Sequence, residues 1–172
     1  MRTGQSDYGV QPRDRLLSDL VVQDAEIWLR YKDDLVRYAA VLIGPDDADD
    51  AVSTIVLRVL NRRGLSDLDD AGKYLYRAVL NECRTRARRR NPRLGVGDLP
   101  EPPPADPQPE IFNAVLALPV RQRAATFLVY WADLSIGETA HVMGTRPGTV
   151  KRYLHLARSK LKGVLDEHVN VK

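Results

Sequence analysis

The first half of the chain carries apolar residues at helical spacing. Where they recur every three or four positions, they are typical of the buried face of an amphipathic helix. The first such stripe consists of Trp28, Tyr31, Leu35, Tyr38 and Leu42. Gly44-Pro45 follows this stripe and predicts the end of the helix.

Two more helices are predicted before residue 91. One runs from Ala48 to Leu60; its acidic first turn suits the positive end of the helix dipole, and Gly64 is a stop signal. Asp69 or Asp70 can cap the next helix, which continues into a cluster of arginines. Residues 1–23 lack a clear pattern, so we expect a flexible arm there with at most one helical turn.

Proline interrupts the pattern in the middle of the chain. Seven prolines lie between residues 91 and 110, which excludes helix and sheet and predicts an extended linker. Such a linker reaches at most about 60 Å, a little under about 18 base pairs of DNA. Three further helical segments are expected at residues 110–118, 120–131 and from 135 onward.

No segment alternates with period two, so the predicted fold class is all-α, with two small helical domains joined by a Pro-rich linker. The predicted organisation is an N-terminal arm at 1–23, a first helical domain at 24–90, the linker at 91–109, a second helical domain at 110–166 and a C-terminal tail at 167–172.

Positive charge is concentrated in two places. The net charge is only +3, but residues 84–93 contain six arginines and no acid, and residues 139–165 contain six Lys or Arg and again no acid. Two separate basic surfaces suggest two contacts with a polyanion. Ordinary solvated helix faces are the alternative for either run alone.

Residues 135–163 carry the local signals of a helix-turn-helix. Ser135 and Glu138 have the spacing of a capping box, Gly144 suits a turn with positive φ, and Pro147 suits the first position of the next helix. Ala140 is small enough for a helix crossing, and Val150 can hold the second helix in place. A surface helix hairpin without DNA is the alternative.

The second helix of this unit would present polar and basic side chains away from its apolar face. A recognition helix places such residues in the major groove and on phosphates. The predicted upstream DNA-binding residues are Arg146, Thr149, Lys151, Arg152, His155 and Arg158.

Little in the sequence supports catalysis. Cys83 is the only cysteine, which excludes an intrachain disulfide, and the three histidines lack metal-ligand spacing. We expect an inert buried cysteine, no catalytic residue, no metal and no cofactor. No segment is apolar enough to span a bilayer, and the N-terminus lacks a signal core, so no membrane contact and a cytoplasmic location are expected.

The second half resembles region 4 of the extracytoplasmic-function sigma factors. That family's pattern is LPxRQR, LSxxEIA, LG, GTVKSR and ARxKL. The matching segments here are Leu118-Pro119-Val120-Arg121-Gln122-Arg123, Leu134-Ser135, Gly148-Thr149-Val150-Lys151-Arg152 and Ala157-Arg158-Ser159-Lys160-Leu161. One departure is Arg146, which replaces the usual serine before the recognition helix.

The first half resembles region 2 of the same family. The patterns are LLGDxxDAEDLVQExFLR and WLYRIARN, and the second is matched by Tyr74-Leu75-Tyr76-Arg77-Ala78-Val79-Leu80-Asn81. DLVQE appears as Asp50-Ala51-Val52-Ser53-Thr54, without the glutamine and glutamate. The resemblance covers roughly residues 24–93 and 109–165.

The resemblance implies an alternative sigma factor that binds core RNA polymerase and directs promoter recognition, melting and transcription initiation at a specific regulon. Region 2 would bind the β′ clamp helices and melt the minus-ten element; region 4 would read the minus-thirty-five element and contact the β flap. An anti-sigma factor is a further candidate partner. The polymerase-binding residues would be Asp46, Asp47, Asp49, Asp50, Ser53, Thr54 and Leu57.

Melted DNA needs aromatic faces for its bases and basic groups for its backbone. We expect one of the adjacent Tyr74 and Tyr76 to belong to the core, and the loop 61–70 to form a pocket for one flipped base. The residues assigned to the minus-ten element are Asn61, Arg62, Arg63, Lys73, Tyr74, Arg77, Asn81, Arg84 and Arg88.

Three other functions are weighed. A helix-turn-helix regulator that never joins polymerase is the main alternative, and the altered DLVQE segment is its best support. An enzyme would need a nucleophile-and-base pair that is not visible. An anti-sigma or scaffold protein would not need two basic faces.

Overall fold

The computed structural model describes residues 12–62, 64–90 and 114–169. The helices in these ranges are α1 (Pro12–Ile43), α2 (Pro45–Leu60), α3 (Ala71–Arg90), α4 (Val120–Tyr130), α5 (Ile136–Met143) and α6 (Pro147–Val169). A short helical stretch at 114–116 precedes α4, and the described ranges contain no strand. The all-α prediction is confirmed. The predicted linker and Arg63 lie outside the described residues.

Helix α1 begins earlier than the sequence indicated. The expected flexible arm is wrong for residues 12–23, which are helical. Between Pro12 and Ile43 there is no glycine and no further proline, so nothing interrupts the helix. The run Leu20, Val21 and Val22 is exposed, which explains why no buried stripe was visible there.

Helices α1, α2 and α3 form a bundle around one apolar core. Local signals set their boundaries as expected: Gly44 has φ 94° between α1 and α2, and Pro45 starts α2. Asp70 caps α3, because its Oδ1 accepts a hydrogen bond of 2.9 Å from the Lys73 amide. The core consists chiefly of Leu35, Tyr38, Leu42, Val52, Ile55, Val59, Leu75, Val79 and Cys83.

Helices α4, α5 and α6 form the second unit, in which α5 and α6 are the predicted helix-turn-helix. Ser135 and Glu138 make both hydrogen bonds of a capping box. Gly144 ends α5 in the left-handed conformation, with φ 64° and ψ 41°. Ala140 lies buried between the helices, and Val150 is fully buried, so the crossing is as predicted.

The two units are in contact with each other. α1 packs on α4, and α3 packs on α5. The Tyr38 ring of α1 lies with its centroid 5.1 Å from that of Phe127 in α4 and 5.6 Å from that of Tyr76 in α3. The sequence predicted two helical domains but gave no sign of this contact, which makes one continuous core.

Candidate nucleic-acid interface

Helix α6 presents the predicted upstream residues on one exposed face. Lys151, Arg152 and His155 are exposed, and Thr149 is half-buried. Arg146 precedes the helix, and its carbonyl accepts hydrogen bonds from the Thr149 and Val150 amides. The opposite face, with Val150, Leu154 and Ala157, is buried against the rest of the unit. The face is therefore positively charged and accessible.

Arg158 is engaged by another helix. Its Nε donates a 2.8 Å hydrogen bond to the Tyr130 hydroxyl of α4, and its Nη2 approaches the same oxygen. The guanidinium carbon lies 5.7 Å from the centroid of the Tyr130 ring. The sequence placed Arg158 on the DNA face, but this contact holds it towards α4. Tyr130 is exposed, and no local signal had indicated its role.

The two adjacent tyrosines of α3 differ in burial, as expected. Tyr74 is 38% exposed, whereas Tyr76 is only 3% exposed and packs in the core. Burial raises the pKa of the Tyr76 hydroxyl well above its usual value. Tyr74 is therefore the more accessible of the two rings.

A groove between α2 and α3 adjoins Tyr74. Its volume is about 390 Å³, and Ile55 and Val59 form its apolar floor. Arg62, Tyr74 and Asn81 also line it, so three of the predicted minus-ten residues share one recess.

The loop that precedes α3 is fastened to α1. The Ser66 amide and hydroxyl both donate 2.8 Å hydrogen bonds to Oδ1 of Asp24. Leu65 is fully buried, and Asp67 accepts a 3.0 Å hydrogen bond from the Gly64 amide. Asp24 was not among the predicted functional residues, because a pairing over 42 positions leaves no local pattern.

The N-terminal part of α3, which carries Lys73 and Arg77, contacts α5. Lys73 Nζ lies 2.9 Å from Glu138 Oε1 and 2.8 Å from Asp70 Oδ2. Arg77 Nη1 lies 3.5 Å from His141 Nε2. Hydrogen bonds from Ser135 and Lys73 lower the pKa of Glu138 to about 2, and those to Asp70 and Glu138 raise the pKa of Lys73. Two of the predicted minus-ten residues therefore already have partners in the second unit.

Arg84 and Arg88 lie elsewhere on α3. They line a cavity of about 510 Å³ between α3 and the second unit, together with Arg121 and Tyr153. Arg121 was not predicted as a functional residue, although it belongs to the LPxRQR-like segment.

Helix α2 carries an acidic and apolar outer face. Asp46, Asp49 and Ser53 are exposed, Asp47 is half-buried, and Leu57 is 61% exposed. Leu60 is also exposed at the end of this helix and was not singled out from the sequence.

Asp50 on the same helix has an internal partner. Its Oδ2 lies 2.7 Å from Nη1 of Arg86, which also bonds Glu82 and the Thr54 hydroxyl. The side chain of Asp50 remains 77% exposed, so one edge of the carboxylate is still accessible. Thr54 is tied into this network, with its hydroxyl donating to the Asp50 carbonyl at 2.7 Å.

Three other features bear on function. Cys83 is buried, and burial raises the pKa of its thiol to about 12, so it has no thiolate at neutral pH. Among the described residues, no group of three or more His, Cys, Asp or Glu could hold a metal ion. No helix in those ranges is long and apolar enough to cross a bilayer.

Comparison with known proteins identifies relatives of both units. The family model "Sigma-70, region 4" matches residues 109–161. The chain is 34% identical over 139 residues to the ECF RNA polymerase sigma factor SigM of Mycobacterium tuberculosis, covering 74% of this chain and 70% of that protein. It is 31% identical over 157 residues to the RNA polymerase sigma-E factor of Streptomyces antibioticus, covering 85% and 86%.

A solved structure has the same fold. The sigma factor RpoE of Bartonella quintana, determined with the anti-sigma factor NepR, matches with a TM-score of 0.66 and 20% identity, covering 83% of this chain and 96% of that one. At this identity the likeness shows the fold alone. The relatives above exceed 30% identity over more than two thirds of either chain, and on that basis the chain belongs to the extracytoplasmic-function family of RNA polymerase sigma factors.

Proposed function

We propose that this chain directs RNA polymerase to a specific set of promoters, with separate surfaces for the enzyme and for DNA. The observation that carries the proposal is that one molecule combines the basic outer face of α6 with the acidic and apolar outer face of α2. A regulator that binds DNA but not polymerase needs the basic face of α6 and has no need of the α2 face. Leu57, largely exposed on the helix whose N-terminal part carries four aspartates, suits a protein partner.

The α6 face reads the upstream promoter element. Its N-terminal residues Thr149, Lys151, Arg152 and His155 enter the major groove, and Arg146 contacts a phosphate or a base at the groove edge. Arg158 contributes less than the sequence suggested, because Tyr130 holds its guanidinium.

The α3 face binds the melted minus-ten element. Tyr74 stacks on an unpaired base, Asn81 offers both a donor and an acceptor to a base edge, and Arg62 lies near enough to hold the backbone. Lys73 and Arg77 join this surface once they leave Glu138 and His141. Binding of the minus-ten element therefore requires the two units to separate.

The α2 face docks on core polymerase at the β′ clamp helices, and the second unit contacts the β flap. Asp46, Asp47, Asp49 and Asp50 supply charge for steering, whereas Leu57 and Leu60 supply apolar contact. Ser53 and Thr54 take the places of the family's glutamine and glutamate. The protein works in the cytoplasm by binding rather than by catalysis, without a cofactor, and an anti-sigma factor could cover the same surfaces.

Run-off transcription tests the proposal. Core polymerase is assayed with and without the chain on a fragmented genomic library from the source bacterium. Discrete transcripts that depend on the chain are expected. Binding of the chain to promoter fragments without any association with core polymerase would instead establish the helix-turn-helix regulator.

A further inference from the structure

The cavity between α3 and the second unit has walls from both halves of the chain. α3 contributes Asn81, Arg84, Thr85 and Arg88, and the second unit contributes Arg121, Thr145 and Tyr153. Its volume of about 510 Å³ lies within the range of about 300–1,000 Å³ found for small-molecule sites. Because both units build it, the cavity exists only while they are in contact.

Within the part of the chain that the structure describes, three guanidinium groups and no carboxylate line this cavity. Among the described residues, Arg84, Arg88 and Arg121 form no ion pair, whereas nearby Arg58 and Arg86 are paired with Glu82 and Asp50. Arg88 and Arg121 are exposed, but Arg84 is half-buried, and unpaired positive charge is unfavourable there because like charges repel more strongly than in water.

Arg84 bears the largest part of this cost. It is half-buried, and its Nε has no hydrogen-bond partner within the described part of the chain. Burial lowers the pKa of its guanidinium, and the charges of Arg121 and Arg88 lower it further. An anion in the cavity would neutralise the repulsion between the three guanidinium groups.

The other polar groups of the cavity suit phosphate oxygens. Asn81, Thr145 and Tyr153 can donate hydrogen bonds, whereas the Thr85 hydroxyl already donates to the Asn81 carbonyl at 2.9 Å. Arg121 Nη1 donates to the Tyr153 hydroxyl at 3.3 Å. A guanidinium binds phosphate through two parallel N–H groups. Three guanidinium groups therefore suit several linked phosphates better than a single small anion.

We propose that this cavity binds a small molecule with at least two linked phosphates, such as a nucleoside polyphosphate, and that the bound molecule holds the two units together. Asn81 lines both this cavity and the groove proposed for the minus-ten element, which requires the two units to separate. The ligand therefore competes with promoter opening. Only this last consequence rests on the proposed function; binding itself does not.

Calorimetric titration of the full chain with inorganic triphosphate, at about 0.15 M salt to suppress weak surface binding, is the direct test. Arg84→Gln and Arg121→Gln should each weaken binding at least tenfold. Their combined effect should be smaller than the product of the two, because both contact one ligand. Arg89→Gln is the matched control: it removes one exposed charge of α3 outside the cavity and should change affinity less than twofold. Circular dichroism checks that each variant is folded.

Three results would overturn the proposal. They are the absence of triphosphate binding by the unaltered chain, a loss in Arg89→Gln as large as in Arg121→Gln, and equal binding of sulfate and triphosphate at matched ionic strength. The last two would show nonspecific attraction to a basic surface.

A promoter-opening assay without nucleotides separates the site from the proposed function. Arg121 is not among the residues assigned to the promoter or to core polymerase, so Arg121→Gln should open a promoter as the unaltered protein does. Triphosphate should inhibit opening by the unaltered protein and spare the variant. If no opening occurs with either protein, the proposed function fails while the calorimetric result still decides the site. Equal inhibition of both proteins would show that the ligand acts elsewhere.

Discussion

At the scale of single residues, side chains on one helix can have different tasks. On α6, Arg152 lies in the second turn, where a recognition helix reaches base edges, and Lys160 lies two turns further along. Arg152→Ala should relax specificity at one or two base pairs of the upstream element, since a bidentate Arg–guanine contact is worth about 1–3 kcal/mol of discrimination.

Lys160→Ala is the matched control for that variant. It should weaken binding evenly across sequences, or leave it unchanged, and reduce the salt slope by at most about one unit. Binding of a randomised promoter library at two salt concentrations measures both effects. A changed base preference in Lys160→Ala, with none in Arg152→Ala, would mean that α6 docks in another orientation.

Tyr38 has a fully buried hydroxyl with no hydrogen-bond partner within the described residues. Its ring fills the space between Tyr76 and Phe127, so the ring is needed while the oxygen is not. Tyr38→Phe should stabilise the protein by about 1 kcal/mol, because it removes the desolvation cost of an unpaired hydroxyl.

Tyr76→Phe provides the comparison, since the Tyr76 ring also packs in the core but its hydroxyl is not among the fully buried oxygens that lack a partner. This variant should leave stability unchanged or lower it. Urea denaturation of both variants measures the difference. A loss of stability in Tyr38→Phe would indicate that its hydroxyl has a partner in solution.

At the scale of elements, α2 has an inner and an outer face with separate roles. Leu57 projects from the outer face and contributes nothing to the core. Leu57→Ser should therefore preserve stability and weaken binding to core polymerase severalfold. Leu29→Ser replaces an exposed leucine of α1 and should leave that affinity unchanged. Fluorescence anisotropy of the labelled chain with core polymerase reports both, and equal affinities would exclude α2 as the docking surface.

The helices and their ends could be predicted wherever a local signal exists. Ser135 with Glu138, Gly144, Pro147 and Asp70 each act within four residues, and all of them are where the sequence placed them. The start of α1 was not predictable from amphipathic spacing, because Leu20, Val21 and Val22 face outward. Arg123 is fully buried, which its charge and its position in an arginine-containing segment did not suggest.

Among the candidate sites, the α6 face could be read from the sequence because its residues lie on one helix. The pairs Lys73–Glu138, Arg86–Asp50 and Ser66–Asp24 could not, since they join residues 65, 36 and 42 positions apart. The spacing of residues within one helix carries no information on pairs so far apart in the sequence. These long-range pairs also determine which predicted site residues, such as Lys73 and Asp50, already have a partner within the protein.

At the scale of the whole molecule, the free protein is expected to be closed. Lys73 Nζ is 2.9 Å from Glu138 and 2.8 Å from Asp70, so a carbodiimide should join Lys73 to either carboxylate without a spacer. Mass spectrometry should detect both crosslinks in the free chain. Binding to core polymerase and an open promoter should abolish the crosslink to Glu138 and leave, or increase, the one to Asp70.

The crosslink to Asp70 is an internal control, because both residues belong to the same turn at the start of α3. Undiminished crosslinking to Glu138 in the open complex would contradict the separation of the two units during promoter binding.

Glu138 takes part in two structures at once. One carboxylate oxygen accepts from the Ser135 amide and thereby caps α5, and the other meets Lys73 across the contact between the units. Lys73, on the opposite side, belongs to the surface proposed for melted DNA. A substitution at either residue that loosened the closed form would thus also damage an element proposed to bind the promoter. Variants that are permanently open should then be rare in a genetic selection for activity. The closed form is expected to open when partners bind.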